Sequence, residues 1–142
     1  MMLRSRVFTF LGALAIASSS YTAFANIPPG TCPEVSSIKS EGLSLAYELM
    51  PKVFFAYQIS KYNTELSWVF AIGYFKSDTE ELAVIDGNKT LVNLAGTPLP
   101  EYDKEGYWLC KYDLGTGYTA LAIHTETTPG PNQLKRFFHN IY

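Results

Sequence analysis

The sequence has 142 residues, 13 of them acidic against 11 basic, and 15% of it is aromatic. That length holds one domain with one core and excludes two. The acid excess excludes nucleic acid and anionic membrane as partners, because both are repelled by the field of such a chain.

The chain opens on Met1-Met2-Leu3-Arg4-Ser5-Arg6, short and positive. Residues 7–17 carry no charge, residues 18–22 are polar, and Ala23-Phe24-Ala25 sets small residues at the two positions a signal peptidase inspects. This is the layout of a secretory signal. The apolar run holds about 11 residues where a membrane-spanning helix needs about 20, so a cleaved signal is expected rather than an anchor. The expected layout is a signal peptide over 1–25, a single domain over 26–128 and a C-terminal tail over 129–142. Cleavage takes Arg4 and Arg6 away, leaving 9 basic residues against 13 acidic ones and a net charge of about −4. No later apolar run is long enough to span, and Cys32 lacks a lipoprotein box before it.

Pro28-Pro29-Gly30 is an extended lead-in. Thr31-Cys32-Pro33-Glu34 reads as a helix start, with Thr31 capping and Glu34 closing a capping box, for a short helix over 33–40 that Gly42 stops. A strand follows over 43–49 and breaks at Pro51. Residues 52–60 alternate, with Val53, Phe55, Tyr57 and Ile59 on one face. After a turn at 62–65, residues 68–75 form the strongest strand: Trp68, Phe70, Ile72 and Tyr74 point one way, and Val69, Ala71, Gly73 and Phe75 the other. Apolar residues on both faces mark a central strand.

Residues 78–95 fit two templates. Ser77 with Glu80 and Asp78 with Glu81 make overlapping capping boxes, Gly96 and Pro98 supply a stop, and Val84, Ile85, Asn88, Leu91, Val92 and Ala95 share a helical face. Against this, Asp86-Gly87-Asn88 is a hairpin-turn signal, and Gly87 inside a helix costs about 1 kcal/mol relative to Ala. The signals at both ends favour the helix. Residues 97–106 form a loop. Residues 107–113 form a strand with Trp108, Cys110 and Tyr112 on one face, and Gly115-Thr116-Gly117 turns it into a partner strand over 118–126. Small residues at Ala71, Gly73, Ala120 and Ala122 are expected where the helix lies close to the sheet. The order α-β-β-β-α-β-β predicts a single α+β domain, an antiparallel sheet of about five strands with one main helix on one face.

Cys32 and Cys110 are the two cysteines. An even count in an exported chain predicts a disulfide, here closing a loop worth about 4.5 kcal/mol in the chain-entropy model. Neither cysteine lies in a C-x-x-C or beside a histidine, so a redox or nucleophilic role has less support. His124 and His139 lack the spacing of a zinc site, and no cofactor or metal is expected. Glu101, Asp103 and Glu105 alternate in a loop but lack the length and glycine of a calcium-binding loop. Asn88-Lys89-Thr90 is a glycosylation triplet, relevant only in a eukaryotic host. The tail mixes basic and aromatic residues in Leu134-Lys135-Arg136-Phe137-Phe138-His139, suited either to docking or to terminal packing.

Taken together, Cys32-Pro33-x-Val35-Ser36-x-Ile38, Trp68-Val69-Phe70-Ala71-Ile72, Trp108-Leu109-Cys110-x-Tyr112 and Gly117-Tyr118-x-Ala120-Leu121 resemble a family of small exported proteins of unknown function, mainly from intracellular Gram-negative bacteria. The resemblance runs from Cys32 to about Thr125 and leaves the tail outside. It implies the disulfide and a helix after Phe75, and Asp86-Gly87-Asn88 departs from it. The family carries no activity, so it lends no catalytic residues.

The expected function is therefore a non-enzymatic binding or interaction module, periplasmic or secreted, acting on a host or envelope component. Aromatic residues serve packing first, but Tyr102, Tyr107, Trp108, Tyr112 and Tyr118 are a candidate binding surface. Two alternatives stand beside it. One is a small envelope-active hydrolase pairing His124 with the carboxylate of Glu126. The other is an inhibitor or structural envelope protein using the loops 97–106 and 115–117.

Overall fold

A computed structural model describes residues 29–103, 106–115, 117–124, 134–136 and 138. The expected signal segment lies outside the described residues. The elements are α1 (Val35–Glu41), β1 (Leu45–Met50), β2 (Val53–Ser60), β3 (Trp68–Lys76), α2 (Glu80–Leu91), β4 (Glu101–Asp103), β5 (Tyr107–Tyr112) and β6 (Thr119–His124). Six antiparallel strands form one sheet in the order β1-β2-β3-β6-β5-β4. The domain is thus a small α+β fold, as the element order predicts. The added strand, β4, falls in the expected loop 97–106. Three residues are too few to show an alternation, and their pairing with Tyr107, Trp108 and Leu109 is what makes them a strand.

The sheet separates two apolar layers. On one side Phe54, Ala56, Trp68, Phe70, Ile72, Cys110, Ala120 and Ala122 pack with Ile38 of α1 and with Ala83 and Leu91 of α2. On the other, Phe55, Val69, Ala71, Leu121 and Ile123 pack with Leu134 and Phe138 from the expected tail, both fully buried. Phe138 stacks on Phe55 at 5.0 Å and sits over Gly73, where a Cβ would come within 3.4 Å of its ring. These tail residues therefore bury their side chains in the core.

Three local expectations change. The α1 capping box does not form: the cap position is Glu34, without a side-chain bond to the helix. On β3, Tyr74 lies with Gly73 on the Phe138 side and Phe75 on the α2 side. Phe54 pairs with Phe75 and Phe55 with Gly73, so Tyr74 is an extra residue that resets the alternation, a β-bulge. In α2 the side against the sheet is Ala83, Gly87 and Leu91, not the face set out by Val84, Ile85 and Val92. A Cβ on Gly87 would meet the Ala56 Cβ at 2.8 Å and Leu43 Cδ1 at 3.0 Å, so only the smallest side chains fit where the helix touches β2. The contact therefore falls on Ala56. Of the four expected small residues, Ala120 and Ala122 lie on the helix side, whereas Ala71 and Gly73 lie on the other.

Helix α2 is capped by Thr79, two residues after the first expected box and one after the second. Thr79 Oγ1 accepts the Leu82 amide at 3.2 Å, while Ser77 bonds Asp86 and Asp78 pairs with Lys52. Asn88 ties the helix to the chain before β1: it accepts the Leu43 amide and donates to the Leu43 and Val84 carbonyls, at 2.9, 2.9 and 3.0 Å. Among the described residues no helix is long and apolar enough to cross a membrane.

Candidate binding surface

The disulfide fixes the ground on which the surface is built. Cys32 and Cys110 are joined, with Cα atoms 5.8 Å apart, and Cys110 is fully buried in the middle of β5. Tyr112, two residues on and on the same face, donates its hydroxyl to the Pro33 carbonyl at 2.5 Å. Bridge and hydrogen bond together hold the segment before α1 flat against β5.

The strand register sets one row of rings across that face. Tyr102 pairs with Trp108, Trp108 with His124, and Val69 with Ile123, which places Trp68 beside His124. The Tyr102 and Trp108 rings lie 5.0 Å apart, and Trp68 and His124 lie 5.5 Å apart. Exposure falls along the row, from Tyr102 at 46% through the half-buried Trp108 and His124 to Trp68 at 0%. The row thus runs from solvent at the β4 edge to the core.

Its polar atoms differ in how they are satisfied. Trp68 Nε1 donates to Thr64 Oγ1 at 3.0 Å. His124 Nδ1 lies 2.8 Å from the Ser67 carbonyl, and because a carbonyl only accepts, that nitrogen carries the proton. Trp108 Nε1 is buried with no acceptor. A buried donor left unpaired costs about 1–3 kcal/mol.

The five candidate aromatics divide. Tyr102 and Trp108 stand together. Tyr107 lies on the opposite face, with the Arg136 guanidinium 5.7 Å from its ring centroid. Tyr112 is buried edge-on to Phe70 at 5.7 Å. Tyr118 lies half-exposed against Phe75 at 5.5 Å, beyond the other end of β6. Of the acidic candidates, Glu101 pairs with Lys111 at 2.9 Å, and Glu105 lies outside the described residues. Among the described residues no cluster of three or more histidines, cysteines or carboxylates could hold a metal. Glu126, the expected partner of His124, and His139 also lie outside them. A shallow depression of about 320 Å³ at the β1–β2 turn, lined by Lys52, Lys76 and Asp78, lies at the far end of β3 from Trp68. Its Lys52 is already paired with Asp78 at 3.0 Å.

A family model described as a domain of unknown function, DUF4949, matches residues 31–137. The chain belongs to that family. No curated protein and no solved structure matches it. The DUF4949 match begins one residue before Cys32 and takes in the disulfide, all six strands and the row from Tyr102 to Trp68. It also runs past Thr125, where the resemblance drawn from the sequence stops, into the segment that buries Leu134. That segment is thus part of the DUF4949 unit.

The row itself was not visible from sequence. Trp68 and Trp108 each had an assigned face, but only the β5–β6 and β3–β6 registers bring them into line with His124. A three-residue strand gave no signal to place Tyr102 beside Trp108.

Proposed function

We propose that this chain is an exported, non-enzymatic binding module of the periplasm or secreted fraction, and that Tyr102 and Trp108 contact an envelope or host component. The observation that carries this reading is the Tyr102–Trp108 pair. It sets the exposed ring of Tyr102, on the edge strand β4, against the half-buried ring of Trp108 on β5. Such a pair offers aromatic contact area, and Tyr and Trp are enriched among the contact residues of interfaces. Export is supported by the signal pattern and by the disulfide, a bond that persists in oxidising compartments.

The test uses protein made in its native host. Intact mass is expected to begin at Asn26 and to rise by two hydrogens on reduction. A photoreactive phenylalanine at Tyr102 should then give a saturable adduct in the periplasm or medium, competed by unlabelled wild type and weakly by Tyr102→Ala, which removes the exposed ring. A full-length mass with free thiols overturns the compartment. Turnover in a broad hydrolase screen, abolished by His124→Ala, overturns the non-enzymatic reading.

A further inference from the structure

Helix α2 presents more apolar surface than the sheet can use. Ala83, Gly87 and Leu91 fill the inward face, while Leu82 is 46% exposed, Ile85 48% and Val92, the residue that ends the helix, 67%. With Lys89, also exposed, these outward residues stand at positions 82, 85, 89 and 92. The steps of three, four and three are the a/d spacing of a coiled-coil seam. At about 100° per residue the stripe centres opposite Gly87, so it points straight away from the sheet. Among the described residues, the larger contacts of α2 are with β1, β2 and β3, all on its inward side.

The stripe is also self-complementary. It is symmetric about position 87, so a second copy laid antiparallel sets Leu82 against Val92 and Ile85 against the stem of Lys89. In that register the Lys89 ammonium of one copy reaches the flank where Asp86 of the other stands, because Lys89 and Asp86 lie on the same side of the seam. Asp86 is held in place by Ser77 at 3.3 Å through one carboxylate oxygen, leaving the other to accept. The exchange is reciprocal, giving two lysine–aspartate contacts across the two-fold axis, as an isologous interface requires. A parallel pair would instead set Lys89 against Lys89. A single Lys at an a position is a known device for fixing register and orientation at some cost in affinity.

We infer that α2 is a self-association surface, and that this protein forms an antiparallel dimer through Leu82, Ile85, Lys89 and Val92, with Lys89 of each copy paired to Asp86 of the other. One short helix per copy makes a small interface, so association is weak, with a dissociation constant on the order of micromolar or higher. The surface is separate from the Tyr102–Trp108 pair, and the two readings stand or fall apart.

Sedimentation equilibrium of the disulfide-bonded protein, from about 1 to 500 μM, reads the inference directly. The weight-average mass should climb from monomer towards dimer. Ile85→Glu should hold it at monomer throughout, with an unchanged circular dichroism spectrum. Lys89→Leu, which completes the apolar seam, should tighten the dimer at least tenfold, and it keeps the test usable if the glutamate variant folds poorly. Zero-length carbodiimide coupling should yield an intermolecular Lys89–Asp86 peptide. A wild-type monomer at the highest concentration overturns the inference and leaves the stripe to a different protein. A dimer indifferent to both substitutions overturns it as well.

Discussion

Asn88 shows how one side chain can settle what its neighbours in sequence leave open. Read locally, Asp86-Gly87-Asn88 is a turn and Asn88-Lys89-Thr90 a glycan acceptor. In the fold both hydrogens on Asn88 Nδ2 are engaged, by Leu43 and by Val84. A glycan would replace one of them and unseat the helix from the chain before β1, so the triplet is structural. Tyr62 and Tyr112 are the corresponding buried phenols. Burial raises both above their ordinary value of 10.0, and the nearby charge of Glu41 adds to the rise at Tyr62. Each is therefore neutral in the folded protein at a pH where the unfolded chain has begun to ionise. Their contribution to stability is complete below about pH 10 and is lost as pH rises through the folded values, at about 1.4 kcal/mol per pH unit for each phenol. Urea unfolding between about pH 9 and 11 should show this fall, and a Tyr62→Phe/Tyr112→Phe double variant should show a clearly shallower one. Parallel slopes in the two proteins would mean that the phenols are not the groups responsible.

At the scale of elements, the sequence places most strands and both helices, because alternation and capping are local signals. It misplaces what depends on contact. The α2 face is the clearest case: periodicity ranks Ile85 and Val92 as core because they are large and apolar, whereas the inward face is Ala83, Gly87 and Leu91, with Gly87 where the helix comes closest to β2. The Tyr74 bulge and the three-residue β4 are likewise set by their partners and leave no trace in local spacing. Gly87→Ala isolates the contact. Helix propensity alone would stabilise the variant by about 1 kcal/mol. The added methyl meets the Ala56 Cβ, which is fixed to the β2 backbone and cannot rotate away, and overpacking of this kind costs about 1–3 kcal/mol. The expected outcome is a net loss of about 1 kcal/mol in chemical denaturation. A variant more stable than wild type would show that the helix does not approach the sheet so closely.

For the whole molecule the decisive link is covalent. The cysteine count made the Cys32–Cys110 pairing legible, but not what it does to the architecture. The chain before α1 has little of its own to hold it: α1 buries Ile38, and Tyr112 holds the Pro33 carbonyl. The bridge spans 78 positions and attaches this short arm to β5, in the layer that α1 and α2 share. Two effects follow. Cross-linking a loop of that length restricts the unfolded chain, worth up to about 4.5 kcal/mol, and native disulfides commonly contribute about 2–5 kcal/mol. It also keeps α1 docked, because a seven-residue helix has no stability alone. A Cys32→Ser/Cys110→Ala variant should therefore lose about 3–4 kcal/mol in global unfolding. Amide exchange should separate the two effects: α1 should exchange faster than β3, which keeps its pairing with β2 and β6 on either side. Uniform acceleration across α1 and β3 would assign the bridge's whole effect to the unfolded chain. A loss below about 1 kcal/mol would mean that α1 and the Tyr112–Pro33 bond hold the arm without it.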